Sequence, residues 1–248
     1  MSQLIQQVCL LVAMEQEAEP IIAKLGLDSF GALNPKLPMM LYQGQLGKLK
    51  ISLVQAGLDE RFGVDYVGTE SATLMAQQAI ENLQPDVVIS AGTAGGFKSL
   101  DAEIGTIILS DGSFVYHDHH VPLPGLYESA IGRYPACDVS AMGQALGYQL
   151  GIISSGSSLE KQAEDIRVIK HYQAKAKEME AAAIAWIAML YSIPCMAIKS
   201  ITNLVDEDNN SEQEFVKNFE TASSSLTSAV FNVLSYMDGK SIQDLSAQ

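Results

Sequence analysis

The sequence predicts an α/β fold: a three-layer sandwich with a central mixed, mostly parallel sheet flanked by helices. Short runs rich in Val, Ile or Leu alternate with longer helical patterns, and each run is bounded by Gly, Pro, Asp, Ser or another polar residue. Strands buried on both faces have this composition, and strand–helix alternation is typical of a largely parallel sheet. The 248 residues contain no repeat or low-complexity linker, so we expect a single domain spanning residues 1–248.

The elements follow one another in a regular order along the chain. The apolar runs predict strands at residues 8–14, 49–55, 87–91, 104–110, 151–155 and 194–201. The patterns between them predict helices at residues 15–25, 63–83, 164–172, 181–191 and 211–236. Residues 116–136 hold three of the eight prolines and three of the four histidines, and they predict a long irregular loop.

Composition and charge exclude several classes of function. Hydrophobic residues make up 48 % of the chain and charged residues 18 %, which supports a sizeable buried core. The formal net charge is −14, so the chain has little with which to bind a nucleic-acid backbone or an anionic membrane. Cys9, Cys137 and Cys195 form no C-x-x-C pair, and the first apolar run lacks a preceding basic residue. We therefore expect a cytoplasmic protein that acts on a small molecule.

Polar groups follow four of the predicted strands where each strand ends. Glu15 and Glu17 come after the first strand, and a glycine-rich segment at 92–96 follows the third. Serines at 155–158 and the pair Thr202–Asn203 follow the last two strands. Because ligands of α/β sheets bind beyond the carboxyl ends of the strands, these groups are expected to converge on one cleft.

Each of these segments also has a purely structural interpretation. The sequence Ala-Gly-Thr-Ala-Gly-Gly at 91–96 matches neither a Walker loop nor G-x-G-x-x-G, so it is either a ligand-binding loop or a tight turn. Acidic residues at 15–17 and 178–180 stabilise helix N-termini, although a carboxylate also suits a ribose diol. Met179 is either an apolar platform or core filler, and Asn203 is either a reader of a purine edge or a turn residue.

Three histidines cluster at the start of the predicted loop. His117, His119 and His120 have no thiolate partner and lack the usual spacing of a zinc site. We expect them to be structural, and we expect neither a metal nor a cofactor.

The motifs occur in an order that resembles a known family. They are Ala-Met-Glu-x-Glu, Gly-Thr-Ala-Gly-Gly, Tyr-His-Asp, Ser-Gly-Ser-Ser-Leu, Glu-Met-Glu-Ala-x-Ala-Ile-Ala and Ile-Thr-Asn-Leu-Val-Asp. The chain resembles, from about residue 8 to about residue 235, the methylthioadenosine/S-adenosylhomocysteine nucleosidases of the purine nucleoside phosphorylase superfamily. Phe62-Gly63-Val64-Asp65, Val121-Pro122-Leu123-Pro124, Leu159 and Lys199 resemble the plant branch, the 5′-methylthioadenosine nucleosidases.

The resemblance implies hydrolysis of the adenine–ribose bond of methylthioadenosine in methionine salvage, with S-adenosylhomocysteine as a possible second substrate. Glu17 would be the base that activates water, and Asn203 occupies the position of the acid at adenine N7. Glu180 would bind the ribose hydroxyls with Met179 beneath the sugar. The remaining substrate-binding positions would be Thr93, Gly95, Leu159, Lys177, Glu178 and Lys199. The family also implies a homodimer in which residues 121–127 complete the neighbour's site.

The acid position departs from the family pattern, which has Asp where this chain has Asn203. An amide donates a hydrogen bond but supplies no transferable proton at neutral pH, and a general acid contributes about 10²–10⁴-fold in rate. We therefore expect binding with slow or absent turnover, in a chain that is either an engineered variant or a natural one that has lost catalysis. Asp206 lies about one helical turn further on and is a poor substitute. Ser157, where the family commonly has Asp, makes the adenine geometry less secure.

Two alternatives stay open on the sequence alone. A phosphorylase of the same superfamily would need basic side chains to hold phosphate, and the chain has only Arg61, Arg133 and Arg167. A non-catalytic nucleoside-binding or storage protein is the other alternative, and it rests on Asn203.

Overall fold

The computed structural model describes residues 3–207 and 211–247. The strands are β1 Gln7–Val12, β2 Asp28–Ala32, β3 Met40–Leu46, β4 Leu49–Gln55, β5 Leu58–Asp59, β6 Val64–Asp65, β7 Val87–Gly96, β8 Ile107–Tyr116, β9 Tyr134–Pro135, β10 Gln149–Ser155, β11 Ala176–Glu178 and β12 Cys195–Leu204. The helices are α1 Glu15–Leu25, α2 Thr69–Leu83, α3 Leu126–Ile131, α4 Ser140–Leu146, α5 Ala163–Tyr172, α6 Ala181–Leu190 and α7 Ser211–Met237, with short 3₁₀ turns at Lys98–Leu100 and Ile242–Leu245.

A mixed ten-stranded sheet forms the centre of the molecule, in the order β11-β10-β8-β12-β7-β1-β4-β3-β2, with β9 paired to β8. The four consecutive strands β12, β7, β1 and β4 run parallel to one another. The hairpin of β2 and β3 continues the sheet antiparallel beyond β4. The mixed α/β sheet predicted from the sequence is therefore confirmed, with parallel pairings at its centre and also between β10 and its two neighbours, β8 and β11.

The sheet also turns back on itself beside the central strand. The strand β11 pairs parallel with β10 and, through Ala176 and Lys177, antiparallel with the last two residues of β7, Gly95 and Gly96. Any Cβ on Gly96 would lie 2.8 Å from Ala102 Cβ and 2.9 Å from Ile201 Cγ2, so this junction requires a residue without a side chain. The closure brings β11 next to the carboxyl ends of β7 and β12.

Helices cover both faces of the sheet and make it a three-layer structure. The helices α2 and α6 pack on one face, where alanines of α6 such as Ala182 and Ala185 allow a close approach. The helices α1 and α7 pack on the other face, where Ile21 and Leu226 contact the sheet side chains. Burying both faces explains why the central strands are apolar throughout rather than alternating.

Several predicted boundaries need correction. The strand predicted at 87–91 runs on to Gly96, and the strand predicted at 104–110 lies at Ile107–Tyr116. The helix predicted at 63–83 begins only at Thr69, because residues 58–65 form the small β5–β6 hairpin. The predicted loop 116–136 contains α3 and β9. The positive φ angles of Gly125 and Gly132, 78° and 88°, delimit α3 at its two ends.

Candidate active site

A cavity of about 310 Å³ lies at the carboxyl ends of the central strands, where it also borders α2 at Met75, α6 at Ile184 and α7 at Phe215. Its walls come from β1, β7, β11 and β12, together with the start of α1 and the loop after β10. The volume is at the lower end of the range for small-molecule sites. All ten site residues predicted from the sequence line it: Glu17, Thr93, Gly95, Leu159, Lys177, Glu178, Met179, Glu180, Lys199 and Asn203.

Glu17 enters the cavity from the first turn of α1. The preceding Met14 offers no side-chain cap, and Asp65 takes over that task from the β5–β6 hairpin, since its Oδ2 accepts a hydrogen bond of 3.1 Å from the backbone of Glu15. Asp65 Oδ1 also accepts 3.0 Å from Gln55 Nε2. The helix that carries Glu17 is thereby fixed at its N-terminus by a residue of another element.

The Glu17 carboxylate is buried and held by one neighbour. Its Oε1 accepts hydrogen bonds of 2.7 Å from both the backbone N–H and the hydroxyl of Thr93. Burial raises the pKa of Glu17, while Thr93 and the nearby Lys199 act in the opposite direction. A carboxylate with a raised pKa is a stronger base, which suits the removal of a proton from water.

Lys199 is the charged centre of the same wall and is only 1 % exposed. Its Nζ lies 2.8 Å from Glu178 Oε2 and donates a hydrogen bond of 3.0 Å to Ser90 Oγ. Burial alone would lower the pKa of Lys199, but the carboxylates of Glu178, Glu180 and Glu17 raise it above its usual value. The lysine therefore stays charged and compensates the buried acids around it.

Two acidic residues lie just before α6 and have different hydrogen-bond partners: Glu178 at the end of β11 and Glu180 directly before the helix. Glu178 accepts hydrogen bonds from the backbone of Glu180 and Ala181 and from the hydroxyl of Ser155, so it caps the helix. Among the described residues, the Glu180 carboxylate accepts one hydrogen bond, of 2.9 Å, from the backbone of Gly68. Burial and the adjacent Glu178 raise the pKa of Glu180 to about 7. Glu180 thus retains acceptor capacity for a ligand, whereas Glu178 is committed to the protein.

Asn203 reaches the cavity because β12 contains an irregularity. Its register with β7 shifts between Ile201 and Asn203, which leaves Thr202 as an extra residue and turns both Thr202 and Asn203 towards the cavity. Asn203 Oδ1 accepts a hydrogen bond of 2.9 Å from Thr202 Oγ1. The amide side chain is 4 % exposed. Asp206 lies away from this wall, since its carboxylate accepts from the backbone of Lys98 and Ser99.

Two lysines hold the loop between β10 and α5 on which Leu159 lies. Lys177 Nζ donates 2.7 Å to the carbonyl of Ser158 and 3.2 Å to that of Leu159. Lys161 on the same loop donates 2.6 Å to the carbonyl of Val205, just after β12. Burial lowers the pKa of Lys177, partly offset by nearby carboxylates. The Leu159 side chain remains 46 % exposed at the rim of the cavity.

Ser157 ties that loop to two further elements. Its backbone N–H donates 2.8 Å to Asp118 Oδ2, and its hydroxyl lies 2.6 Å from Thr69 Oγ1 at the start of α2. The loop is therefore anchored by Asp118 and Thr69, and the serine at 157 serves these contacts. The contacts of Ser157 with Asp118 and Thr69 could not be predicted from the sequence, because nothing in the spacing of these three residues relates them.

The three clustered histidines have separate partners. His117 Nδ1 lies 2.8 Å from Ser154 Oγ, His119 stacks on Tyr116 with ring centroids 3.8 Å apart, and His120 Nε2 lies 3.1 Å from Asp165 Oδ1. Burial lowers the pKa of His117 to about 4, so this ring is neutral. Among the described residues, no group of three His, Cys, Asp or Glu side chains is placed to hold a metal ion.

Several residues of the cavity could not be assigned from the sequence. Hydrogen bonds orient four of the predicted side chains: Lys199 by Ser90, Glu180 by Gly68, Glu178 by Ser155 and Asn203 by Thr202. Of these partners, only Ser155 and Thr202 lay at predicted strand ends.

In the parts of the chain that the structure describes, no helix is both long and apolar enough to cross a membrane.

Comparison with known proteins gives a consistent result. Residues 7–235 match the family model of the phosphorylase superfamily. The 5′-methylthioadenosine nucleosidase of Arabidopsis thaliana is 35 % identical over 97 % of this chain and 91 % of that protein, and the 5′-methylthioadenosine/S-adenosylhomocysteine nucleosidase of the same plant is 31 % identical over 97 % and 95 %. The solved apo structure of the A. thaliana 5′-methylthioadenosine nucleosidase superposes with a TM-score of 0.94, covering 98 % of this chain and all of that one at 34 % identity. The chain belongs to the phosphorylase superfamily and, within it, to the 5′-methylthioadenosine nucleosidase family.

Proposed function

We propose that this chain binds 5′-methylthioadenosine in the cavity and hydrolyses its N-glycosidic bond to adenine and methylthioribose, with turnover limited by Asn203. The observation that carries the proposal is the placement of Glu17 and Asn203 at two points along one wall. A Cβ on Gly92 would lie 3.4 Å from Glu17 Oε2, and a Cβ on Gly95 would lie 3.1 Å from Asn203 Nδ2. Both side chains line the same cavity, and three residues of extended chain, about 10 Å, separate the two glycines beside which they lie.

The two ends of the cavity have different chemical roles in this proposal. Glu17, Glu180 and Lys199 form the sugar end, and Asn203, Leu159 and Lys177 form the base end. Glu180 accepts hydrogen bonds from the ribose hydroxyls, and Met179 packs beneath the sugar. Thr93 orients Glu17, which removes a proton from the attacking water as the bond from C1′ to the purine lengthens.

The base end lacks a proton donor of the kind the family uses. Asn203 Nδ2 can donate a hydrogen bond to adenine N7 but cannot transfer the proton with which adenine would leave as a neutral molecule. Hydrolysis then depends only on Glu17 as the general base, on the positioning of water and on the contacts to the sugar. We therefore propose tight binding with slow turnover for methylthioadenosine.

Hydrolysis is favoured over phosphorolysis by the charges of the cavity. Among the described lining residues there is no arginine, and both lysines already donate to protein acceptors. A phosphate would therefore meet Glu17, Glu178 and Glu180 without a free cationic partner. A requirement for inorganic phosphate in the assay would favour the phosphorylase alternative instead.

Reversion of the acid position tests the proposal directly. Isothermal calorimetry of the unmodified chain with methylthioadenosine should show binding at one site per chain. Asn203→Asp should then raise the rate of adenine release by about 10²–10⁴-fold. Asn82→Asp, the same change on the exposed side of α2, is the matched control and should leave the rate unaltered.

Binding without any gain in rate after Asn203→Asp would favour a non-catalytic nucleoside-binding protein. Absence of binding by methylthioadenosine would refute the proposed function. Adding S-adenosylhomocysteine to the same titration tests whether the larger nucleoside is accepted.

We further propose a homodimer whose interface includes the exposed apolar residues of α6 and the segment 121–127. Trp186, Met189 and Leu190 are 37–60 % exposed on α6, and Leu123 and Leu126, within the segment 121–127, are 55 % and 53 % exposed. Trp186, Met189 and Leu190 recur at helical spacing and so share one face of α6, and an exposed apolar face is typical of a protein interface. Light scattering should give twice the mass of one chain, and Trp186→Glu should give monomers.

The cellular setting is also a proposal. Cys9, Cys137 and Cys195 are free thiols, which is the usual state in a reducing cytoplasm. Cleavage of methylthioadenosine there would place the chain in methionine salvage.

A further inference from the structure

Glu17, the proposed general base, is held at two places. Its carboxylate accepts two hydrogen bonds from Thr93, both of which reach Oε1. Its backbone lies in the first turn of α1, where the N–H groups of Glu17 and Ala18 each donate 3.1 Å to the carbonyl of Met14. The position of the carboxylate therefore depends on where α1 begins, and the Met14 side chain provides no cap at that point.

A closed set of hydrogen bonds brackets the residues just before α1. Gln55, the last residue of β4, donates through Nε2 to the carbonyl of Ala13 at 3.1 Å and to Asp65 Oδ1 at 3.0 Å. Asp65 Oδ2 in turn accepts 3.1 Å from the N–H of Glu15. The same pair of side chains thus holds the backbone on either side of Met14.

The chemistry of this bracket requires an acceptor at position 65. Gln55 is buried, and its Oε1 accepts 3.0 Å from the N–H of Gly57, so its Nε2 is the end that faces Asp65 and can only donate. Asp65 reaches it from the β5–β6 hairpin, where it pairs with Leu58. A carboxylate fits between two N–H donors, one on Gln55 and one on the backbone of Glu15, because each of its oxygens can accept.

The hydrogen bond of the second carboxylate, Glu180, does not depend on the Asp65 side chain. The N–H of Gly68, which donates to Glu180, follows Asp65 by three residues. The backbone between them is held separately, by a hydrogen bond of 2.9 Å from the N–H of Tyr66 to the carbonyl of Gly57. Loss of the Asp65 side chain would release the start of α1 and leave the contact to Glu180 in place.

We propose that Asp65 and Gln55 are positioning residues for the general base: they hold the start of α1 so that the Glu17 carboxylate meets the attacking water. The inference rests on the proposed function, because it concerns the same hydrolysis. The described wall of the cavity includes neither residue, so both act through Glu17. A misplacement of about 1 Å can lower a rate by about 10²-fold, which gives residues outside the cavity a measurable effect.

Substitution of Asp65 tests the proposal, in the full chain carrying Asn203→Asp so that the rate of adenine release is measurable. Asp65→Ala should lower kcat by about 10–100-fold, because the start of α1 loses its bracket. Asp65→Asn keeps one oxygen for the N–H of Glu15 and should recover part of that loss. Calorimetry in the chain that retains Asn203 should show little change in affinity for methylthioadenosine, because Glu180 keeps its position. Circular dichroism checks that each variant is folded.

Asp59→Ala is the matched control on the same hairpin. The Asp59 carboxylate accepts hydrogen bonds from the side chain of Arg61, which lies between β5 and β6. Its removal should leave kcat unchanged. If Asp59→Ala and Asp65→Ala lower kcat equally, the effect belongs to the hairpin as a whole and the positioning role is wrong.

A double-mutant cycle distinguishes positioning from a general structural effect. If Asp65 acts through Glu17, Asp65→Ala should lower kcat by at most about twofold in a chain that already carries Glu17→Gln, since no base remains to be positioned. The same fold loss with and without Glu17→Gln would overturn the inference.

The outcomes also separate the two proposals. If methylthioadenosine does not bind, or if Glu17→Gln leaves kcat unchanged, the proposed function is wrong. If Glu17→Gln lowers kcat and Asp65→Ala does not, the proposed function stands and the positioning role of Asp65 is wrong.

Discussion

The two parts of the cavity that we propose as its sugar end and its base end differ in how they are built. At the sugar end, Glu17, Glu178 and Lys199 are at most 5 % exposed. Thr93 donates two hydrogen bonds to Glu17, and Lys199 forms an ion pair with Glu178. At the base end, Leu159 is 46 % exposed on a loop whose carbonyl groups accept from Lys177 and whose own Lys161 donates to the carbonyl of Val205. On this proposed assignment, the groups for the chemistry are fixed by strands and helix starts, whereas Leu159, which is proposed to pack on the base, lies on a loop that can change.

Mutations should distinguish the two ends. Substitution of Glu17, the proposed general base at the sugar end, should change kcat the most. Glu17→Gln, made together with Asn203→Asp so that the rate is measurable, should lower kcat by about 10²–10⁴-fold. The glutamine keeps an oxygen for the two hydrogen bonds from Thr93, so calorimetric affinity should change little. A large loss of affinity with an unchanged kcat would contradict the assignment of Glu17 as the base.

Removal of the buried cation should have the next largest effect, on stability. Lys199→Met leaves Glu178 and its neighbours as uncompensated buried acids, which costs about 3–5 kcal/mol of unfolding free energy. Urea denaturation measures the loss. Lys98→Met removes a lysine from an exposed pair with Glu207 and should cost at most about 1 kcal/mol. Similar losses for both variants would show that the sugar end is less tightly coupled than its geometry indicates.

The stability of the free protein should fall as the pH rises through the titration of Glu180. Its folded pKa of about 7 is above the usual carboxyl value, so the folded state binds more protons than the unfolded state between those values. Its contribution is complete below about pH 4.5 and is lost as the pH rises through about 7, a change of about 1–3 kcal/mol. Urea titrations at several pH values measure this slope, which Glu180→Gln should flatten.

The smallest effect is expected for the loop at the base end. Lys161→Met removes the hydrogen bond to Val205 and should weaken nucleoside binding by only a few-fold, since one such bond contributes about 0.5–1.5 kcal/mol. Lys170→Met, on the exposed part of α5, is the control. A loss as large as that of Glu17→Gln would mean that the two ends are not separable.

The sequence predicted the parts of the fold that depend on local pattern. The strand Leu49–Gln55 and the helix Glu15–Leu25 have the predicted bounds, since each has a clear apolar pattern and a polar boundary. The extension of β7 through Gly95 and Gly96 could not be predicted, because glycine is a weak strand former and only the pairing with β11 and β12 holds it extended. The exposed strand β2 has no alternating pattern from which to predict it.

The site was predictable as a set of residue types, and its internal connections were not. The order of motifs placed ten residues in one cleft, and all of them line the cavity. The cap of α1 by Asp65 and the clamp of Lys177 on the carbonyl of Leu159 join elements that are far apart in the chain. Such contacts depend on how the sheet closes, which a single sequence does not reveal. The roles of the ten residues remain predictions for the experiments above.

The short strand β11 is hydrogen-bonded along both edges, to β10 on one side and to the end of β7 on the other. An insertion or deletion of one residue within its three positions would disrupt both ladders at once. The side chains beyond that point would then turn to the face opposite to their present one. Length changes should therefore be rejected in this segment during mutagenesis or natural drift. The exposed stretch at 121–127 lies outside every ladder, so the fold of a single chain sets no such limit there, and a limit would come only from the proposed dimer interface.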